Sequence, residues 1–490
     1  MFIKNLLKTK GKNKVVKFNL FEKMQNSEDN SSLLQEGQAK ISFNFITENG
    51  CLKSGYGFKE LSMPQSEEDL DNEAVFPVDG NAVQKIWQLK WYDVAGDRNC
   101  YCLFYYNDQN KVCFDDLFAQ RLSLPYSWQT NFSSLPFITN YRLNQQDQIL
   151  LSGKDEKVMI ISGSGQKQEG SAPAIISCCN HYGKLFAITA KARGSLVYTD
   201  TDIINWKNEN AKNLDFSDGR GDLNKIISFN DYIYLFRDFG ITKLSVYSGE
   251  EEFAISHIYK SSGYIYPDTI VEKGDEVYFL EGDTLKCFDG NNVKEISLSP
   301  LAFLRGQDNR YACGAVFQGK YFLACKGKID EDKIGCEEGN FKNNLLIVYD
   351  IMQKTADVLR GVDIRGLLTL ENHLKQKLVA CFYNNHQNKI GQLTTDGRIF
   401  TEKVSSMWKS GKMDFGSPEK VKRIKNILLT TFGDCEILVK SEREEEKYAI
   451  SGSIDEQNIP VNVSGKKFEI EIHSKSQDGD YISDFALVVA

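Results

Sequence analysis

The sequence predicts an all-β chain: a roughly seven-bladed β-propeller followed by a C-terminal antiparallel β-sandwich. Three observations carry that expectation. Short runs rich in aliphatic and aromatic residues recur, at 101–106, 149–151, 185–188, 232–236, 277–280, 321–325 and 378–383. Most are entered by a polar turn such as Asn230-Asp231 or Gly274-Asp275, and Gly, Asn and Asp tolerate the positive φ of tight hairpin loops. The runs return with a drifting period of about 45 residues, the spacing of a propeller blade. Finally, 232–236 and 277–280 are apolar at every position rather than at alternate ones, as in a strand buried on both faces.

Each element follows in chain order. Residues 1–13 form a loose basic tail, and 14–21 contain a strand. Residues 23–32 are polar and turn-rich. The stretch from Ala39 to Phe45 alternates, Asn49-Gly50 is a hairpin signal, and 52–58 is expected to complete one opening hairpin. Residues 63–73 hold Glu67, Glu68, Asp69, Asp71 and Glu73, an acidic surface loop. The expected organisation is therefore 1–82 leading in, a propeller over 83–400, and a sandwich over 401–490. In that last part, 421–429, 435–439, 468–472 and 485–489 have strand character outside the repeat.

Composition narrows the function classes. Hydrophobic residues are 41% and charged residues 26%, the balance of an ordinary globular protein. Aromatic residues reach 12%, which favours sheet over helix. The net charge of −8 argues against a broad basic surface for wrapping duplex DNA. No apolar run reaches the roughly 20 residues of a membrane span, and the N-terminus lacks the apolar core of a signal peptide. A chain made and folded in a cytoplasm is expected, with no membrane partner. The 12 cysteines show no paired CxxC and no Cys-His ligand spacing, so reduced structural thiols are expected.

The motifs that carry chemistry are sparse. There is no G-x-S-x-G elbow, P-loop or HExxH. The five histidines, His181, His257, His373, His386 and His473, have no partner at a recognisable spacing. Gly163 to Gly170 is glycine-rich but lacks the Lys-Ser/Thr ending of a phosphate loop. Asp330 to Gly335 begins like a calcium loop, yet Phe341 stands where the closing Glu belongs. Asp215 to Asp222, with its Arg-Gly-Asp, is the denser cation candidate, against the plainer reading of a polar turn between blades. Carboxylates are abundant, but nothing singles out a pair for glycoside hydrolysis. The expectation is no catalytic residue, no cofactor and no metal.

Four stretches resemble phage tail-hub and head-completion propellers, including the podovirus packaged-DNA stabilisation proteins. They are 37–45 through 49–58; Ile241 to Leu244 with Ser262-Gly263, Pro267 to Ile270 and 277–290; Trp408 to Pro418 followed by Lys422; and 463–472 with 481–485. The resemblance implies a non-enzymatic virion protein of the neck or tail hub. It implies copies closing as a ring on the portal, partners among the other neck and tail proteins, and passive contact with packaged DNA. The other function classes that fit a propeller are a binding module for carbohydrate or protein, and a propeller glycosidase.

Overall fold

The computed structural model describes residues 14–17, 39–48, 51–64, 71–76, 78, 80–93, 98–109, 111–116, 126–129, 132, 134–143, 146–153, 157–161, 167–199, 206, 211–246, 253–328, 340–372, 375–383, 386, 388–475 and 480–490. The protein is all-β, built of many small antiparallel sheets. The calcium-loop-like stretch 330–335, the turn 49–50, the glycines 163–165 and His373 lie outside the described residues.

Seven sheets follow one another along the chain. The first comprises Val83–Asp93, Arg98–Asn107, Lys111–Asp116 and Tyr126–Gln129; the second Phe137–Leu143, Gln146–Ser152, Met159–Ile161 and Lys167–Glu169. The third comprises Ile175–His181, Lys184–Thr189, Ser195–Thr199 and Lys212–Asp215; the fourth Leu223–Phe229, Tyr232–Arg237, Gly240–Ser245 and Ala254–Lys260. The fifth comprises Val271–Lys273, Glu276–Glu281, Thr284–Phe288 and Val293–Ile296; the sixth Cys313–Phe317, Lys320–Cys325, Leu345–Asp350 and Thr355–Arg360. In the seventh, Ile364–Asn372, Lys375–Phe382 and Ile390–Thr394 are followed by Gly57–Glu60, a strand from before the first sheet.

Neighbouring sheets share hydrophobic cores, and the succession closes on itself. The all-apolar strands are explained by this. Ile233 and Leu235 point into the core shared with the third sheet, while Tyr234 and Phe236 point into the core shared with the fifth. Val277 and Phe279 join the latter, and Tyr278 and Leu280 face the sixth sheet. Leu370, Val379 and Cys381 of the seventh sheet pack on Ile86, Leu103 and Tyr105 of the first. Fully burying each such side chain stabilises the fold by about 1.5–3 kcal/mol. Polar bonds rivet the same junctions: Gln88 and Glu371 join the first and seventh sheets, and Tyr234 Oη donates to Gly290 O at 3.0 Å.

Four sheets open their first strand with the same one-residue bulge. The bulged residues are Gln84, Ile176, Asn224 and Arg365. In each, the carbonyl two positions before it accepts the amide just beyond the second strand, as in Asp238 N to Asp222 O at 3.0 Å. Ahead of the fifth sheet the ladder is interrupted for longer, between Ile265↔Glu281 and Val271↔Tyr278. The extra residues form the short 3-10 turn Pro267–Thr269.

Ser62–Pro64 pairs with Glu73–Val75 as a small sheet of its own, and Arg398–Ile399 and Glu402–Lys403 extend the seventh sheet; the other described strands form two sheets around one core. One contains Phe45–Glu48, Cys51–Ser54, Tyr481–Val489, Lys422–Phe432 and Ser453–Gly465, with Lys14–Lys17 paired to Tyr481–Val489. The other contains Ala39–Phe43, Ser405–Ser410, Phe468–Lys475, Cys435–Ser441 and Glu445–Ile450. Thus 39–58 is not one hairpin, as the alternation suggested. Only Phe45–Glu48 and Cys51–Ser54 pair with each other; Ala39–Phe43 pairs with Ser405–Ser410, and Gly57–Glu60 joins the seventh sheet.

Asn44 is the physical cause of that split. It sits at φ 60, where the strand must turn, and it is 3% exposed. Its amide donates to Val358 O at 2.8 Å and its Nδ2 to Ser405 O at 2.8 Å, while its Oδ1 accepts Arg360 N at 2.7 Å. Asn tolerates this left-handed conformation better than most residues. Gly55 must be glycine, because a Cβ there would lie 2.1 Å from Asn44 O.

Candidate functional site

Asp215–Asp222, the cation candidate, links the last strand of the third sheet to the first of the fourth. Its carboxylates do not converge on a common point. Asp218 instead receives Arg237 Nη1 at 2.7 Å, Arg220 Nη1 at 3.1 Å and His257 Nε2 at 3.4 Å. Asp215 accepts Ser195 Oγ, and the amide of Asp222 goes to Asp238 Oδ2 at 2.9 Å. Among the described residues, no group of three or more His, Cys, Asp or Glu side chains is placed to hold a metal ion. Partial burial pushes the Asp218 pKa up, but the Arg220 amide and the Arg237 and Arg220 charges outweigh it and hold the carboxyl below its usual value.

Arg237 is fully buried at the end of the otherwise apolar strand Tyr232–Arg237. It donates from Nε to Gly221 O at 3.0 Å and from Nη2 to Phe216 O at 3.1 Å, which fixes the loop. His257 completes the network through Nδ1, 3.1 Å from Thr242 Oγ1. Carboxylate, imidazole and hydroxyl in that order resemble a nucleophilic triad. Here, however, Thr242 is 0% exposed, between the strands Tyr232–Arg237 and Ala254–Lys260, so no substrate reaches its hydroxyl. The network binds a loop to a sheet. Reasoning on sequence spacing missed it, because Asp218, Arg237, Thr242 and His257 meet only across strands. A charged Arg closing a wholly apolar run was the available signal.

The other histidines have local partners. His181 Nδ1 lies 2.9 Å from Ser228 Oγ, and burial lowers its pKa. His386 lies tilted against Phe400, 4.7 Å between ring centres. His473 Nε2 is 3.3 Å from Glu471 Oε2. Cys51, Cys113, Cys178, Cys179, Cys287, Cys313, Cys325, Cys381 and Cys435 are unbridged. Burial pushes the thiols of Cys178 and Cys381 up to about 12, which keeps them protonated and unreactive.

A second charged group lies where the first strands of the sheets come together. Lys85 of the first sheet reaches Asp268 Oδ1 at 2.9 Å, and Lys225 of the fourth donates to Ile270 O at 2.7 Å. Both grip the same turn, Pro267–Thr269, which Tyr321 Oη also binds through Thr269 O at 2.7 Å. Burial opposes the charge on Asp268, but Lys85 outweighs it and holds the carboxyl low; burial pushes the nearby Glu272 up. The Asp268 side chain is nonetheless 57% exposed, so it faces open space among these strands. That space is bridged by the ion pair. A recess in the two-sheet unit, lined by Phe45, Phe432, Gly433 and Tyr481 among others, is far smaller than a typical ligand pocket.

No helix among the described residues is long and apolar enough to cross a membrane. No family model and no curated protein matches the chain.

Proposed function

We propose that the closed succession of seven sheets is a seven-bladed β-propeller, that the two-sheet unit is a β-sandwich, and that the chain is a non-enzymatic structural protein of a phage or prophage virion, acting at the neck or tail hub. The observation that carries the fold reading is the return of the shared cores from the seventh sheet to the first. Gly57–Glu60 pairs with Ile390–Thr394 in the seventh sheet, so chain from before the first sheet closes the circle.

The functional reading rests on the resemblance of four stretches to tail-hub and head-completion propellers. Two features support it. The N-terminal strands pass through both units, with Asn44 bonded to each, so load on one unit is transmitted to the other. The Lys85–Asp268 ion pair ties the first sheet to the turn ahead of the fifth, which stiffens the succession of sheets where their first strands meet. In this reading DNA passes between copies that close as a ring on the portal, through head-to-tail contacts. A chain of net charge −8 does not favour a tight grip on phosphate there. Its partners are the portal or other neck and tail proteins and further copies of itself, and it uses no cofactor.

Electron microscopy of purified particles tests this. Copies arranged as a ring on the portal axis are the expected result; absence from particles, with the protein free in the lysate, ends the reading. A second reading, a binding module for carbohydrate or protein, has the exposed aromatic pair Tyr311 and Tyr383 in its favour.

A further inference from the structure

The bulge position differs between two otherwise equivalent sheets. In the fourth sheet the bulged residue is Asn224. Its Nδ2 donates to Asp238 Oδ1 at 2.9 Å, and its Oδ1 accepts Arg193. Asp238 stands just beyond the second strand. In the seventh sheet the bulged residue is Arg365, and the place of Asp238 is taken by Tyr383.

The Arg365 guanidinium carbon lies 4.0 Å from the Tyr383 ring centre and 4.2 Å from that of Tyr311. These rings are 39% and 42% exposed. The Arg365 Nε is buried without a hydrogen-bond partner. Its ion-pair partner, Asp363 Oδ1, is 4.0 Å away, beyond hydrogen-bond reach. That carboxylate is already engaged, accepting the amides of Lys342 and Asn343 at 3.0 Å each. Bulges re-aim side chains, and here one sets a guanidinium, its side chain 15% exposed, between two part-exposed rings.

The surrounding frame is rigid. Asn343, 0% exposed, donates to Tyr311 O at 2.7 Å and to Ile364 O at 2.6 Å, tying one clamping tyrosine to the strand that carries Arg365. Lys342 Nζ lies 5.6 Å from the Tyr311 ring centre and adds a second cation at the rim. Lys326 as well as Arg365 bears on the Asp363 carboxyl, so cations outnumber that carboxyl here.

We propose that Arg365, held between Tyr311 and Tyr383, binds a single oxyanion, a carboxylate or a phosphate, carried on a ring that lies against the exposed tyrosine faces. A guanidinium stacked on aromatic rings keeps its hydrogen-bonding edge free, and that edge matches two oxygens of either anion at once. The exposed ring faces supply stacking for a base or a sugar. The site is independent of the virion reading and survives its failure.

Isothermal titration of the full-length protein with adenosine 5′-monophosphate and with glucuronate tests this, adenosine and glucose being the uncharged controls. At least one anion is expected to bind about tenfold or more tightly than its control. Preference for one anion identifies phosphate or carboxylate as the natural group. Arg365→Gln should weaken binding by about tenfold, the loss of a charge-assisted contact. Arg365→Lys, which keeps the cation between the rings, should fall between the two and guards against a folding defect. Tyr383→Ala should weaken binding severalfold with unchanged thermal melting. No binding of either anion overturns the proposal, as does equal binding by a folded Arg365→Gln variant.

Discussion

The seven successive sheets and the two-sheet unit are both antiparallel, yet they are assembled in opposite ways. In the former, nearly every strand pairs with its neighbour in sequence, and only Gly57–Glu60 arrives from a distance. In the latter, Lys14 pairs with Val489, Ala39 with Ser410, and Leu52 with Ile482. Local pairing costs little loop-closure entropy, while pairing the two ends of the chain costs more and must be repaid by a well-packed core. The two-sheet unit supplies one in Trp408, Ile437, Phe468, Ile470 and Leu487, each 1% exposed or less. The difference predicts that the two regions respond separately to core damage and that their coupling lies at Asn44.

The largest effect is expected from Phe468→Asp. Phe468 is 1% exposed and packs against Phe415 at 5.4 Å between ring centres. Burying a carboxylate there should cost several kcal/mol, on the order of the stability of a small domain. Calorimetry should show the two-sheet transition lost and the seven-sheet transition retained. A single merged transition, lost as a whole, would mean the comparison draws its line in the wrong place.

Asn44 sharpens the same comparison. Asn44→Ala loses two buried side-chain bonds and keeps a positive φ that alanine resists, for about 2–4 kcal/mol in all. Asn44→Gly should recover about 1 kcal/mol of that, because glycine removes the backbone strain but not the lost bonds. Hydrogen exchange should then rise at both Val358–Arg360 and Ser405–Ser406. A rise confined to one side would show that Asn44 serves one region only.

The smallest expected effect is one of pH. His473 first, then Lys409 and Lys440, hold the Glu471 carboxyl well below its usual value, against the effect of burial. A carboxylate with a depressed folded pKa contributes stability that is present above the unfolded value of 4.5. That contribution is lost as pH falls through the folded pKa. Melting of the two-sheet unit should therefore weaken below about pH 4.5 by about 1 kcal/mol, and Glu471→Gln should flatten that part of the profile. Equal acid sensitivity of the variant would assign the effect to other carboxylates.

Legibility of the sites follows the same division. The loop at Asp215–Asp222 was visible as a dense polar turn, but its partners were not, since Arg237 and His257 reach it from other strands. Arg365 gave no sequence signal. It becomes distinct only when its bulge is laid over that of Asn224.

The sequence by itself determined the all-β class and the runs that form central strands. Side-chain alternation and turn chemistry are local properties, and a run apolar at every position, such as 232–236, declares two buried faces. It also determined the C-terminal strands, where Phe468, Ile470 and Ile472 share a face by the two-residue period. Only the tertiary structure decided where the N-terminal strands go. The alternation in 39–58 is satisfied equally by one hairpin or by division among three sheets. The choice fell to Asn44, whose positive φ and bonds to Val358, Arg360 and Ser405 depend on residues more than three hundred positions away. Burial energy and hydrogen bonds to distant residues are not encoded in any local pattern, so the closure of the fold and the pairing of its two ends emerge only when the chain is folded.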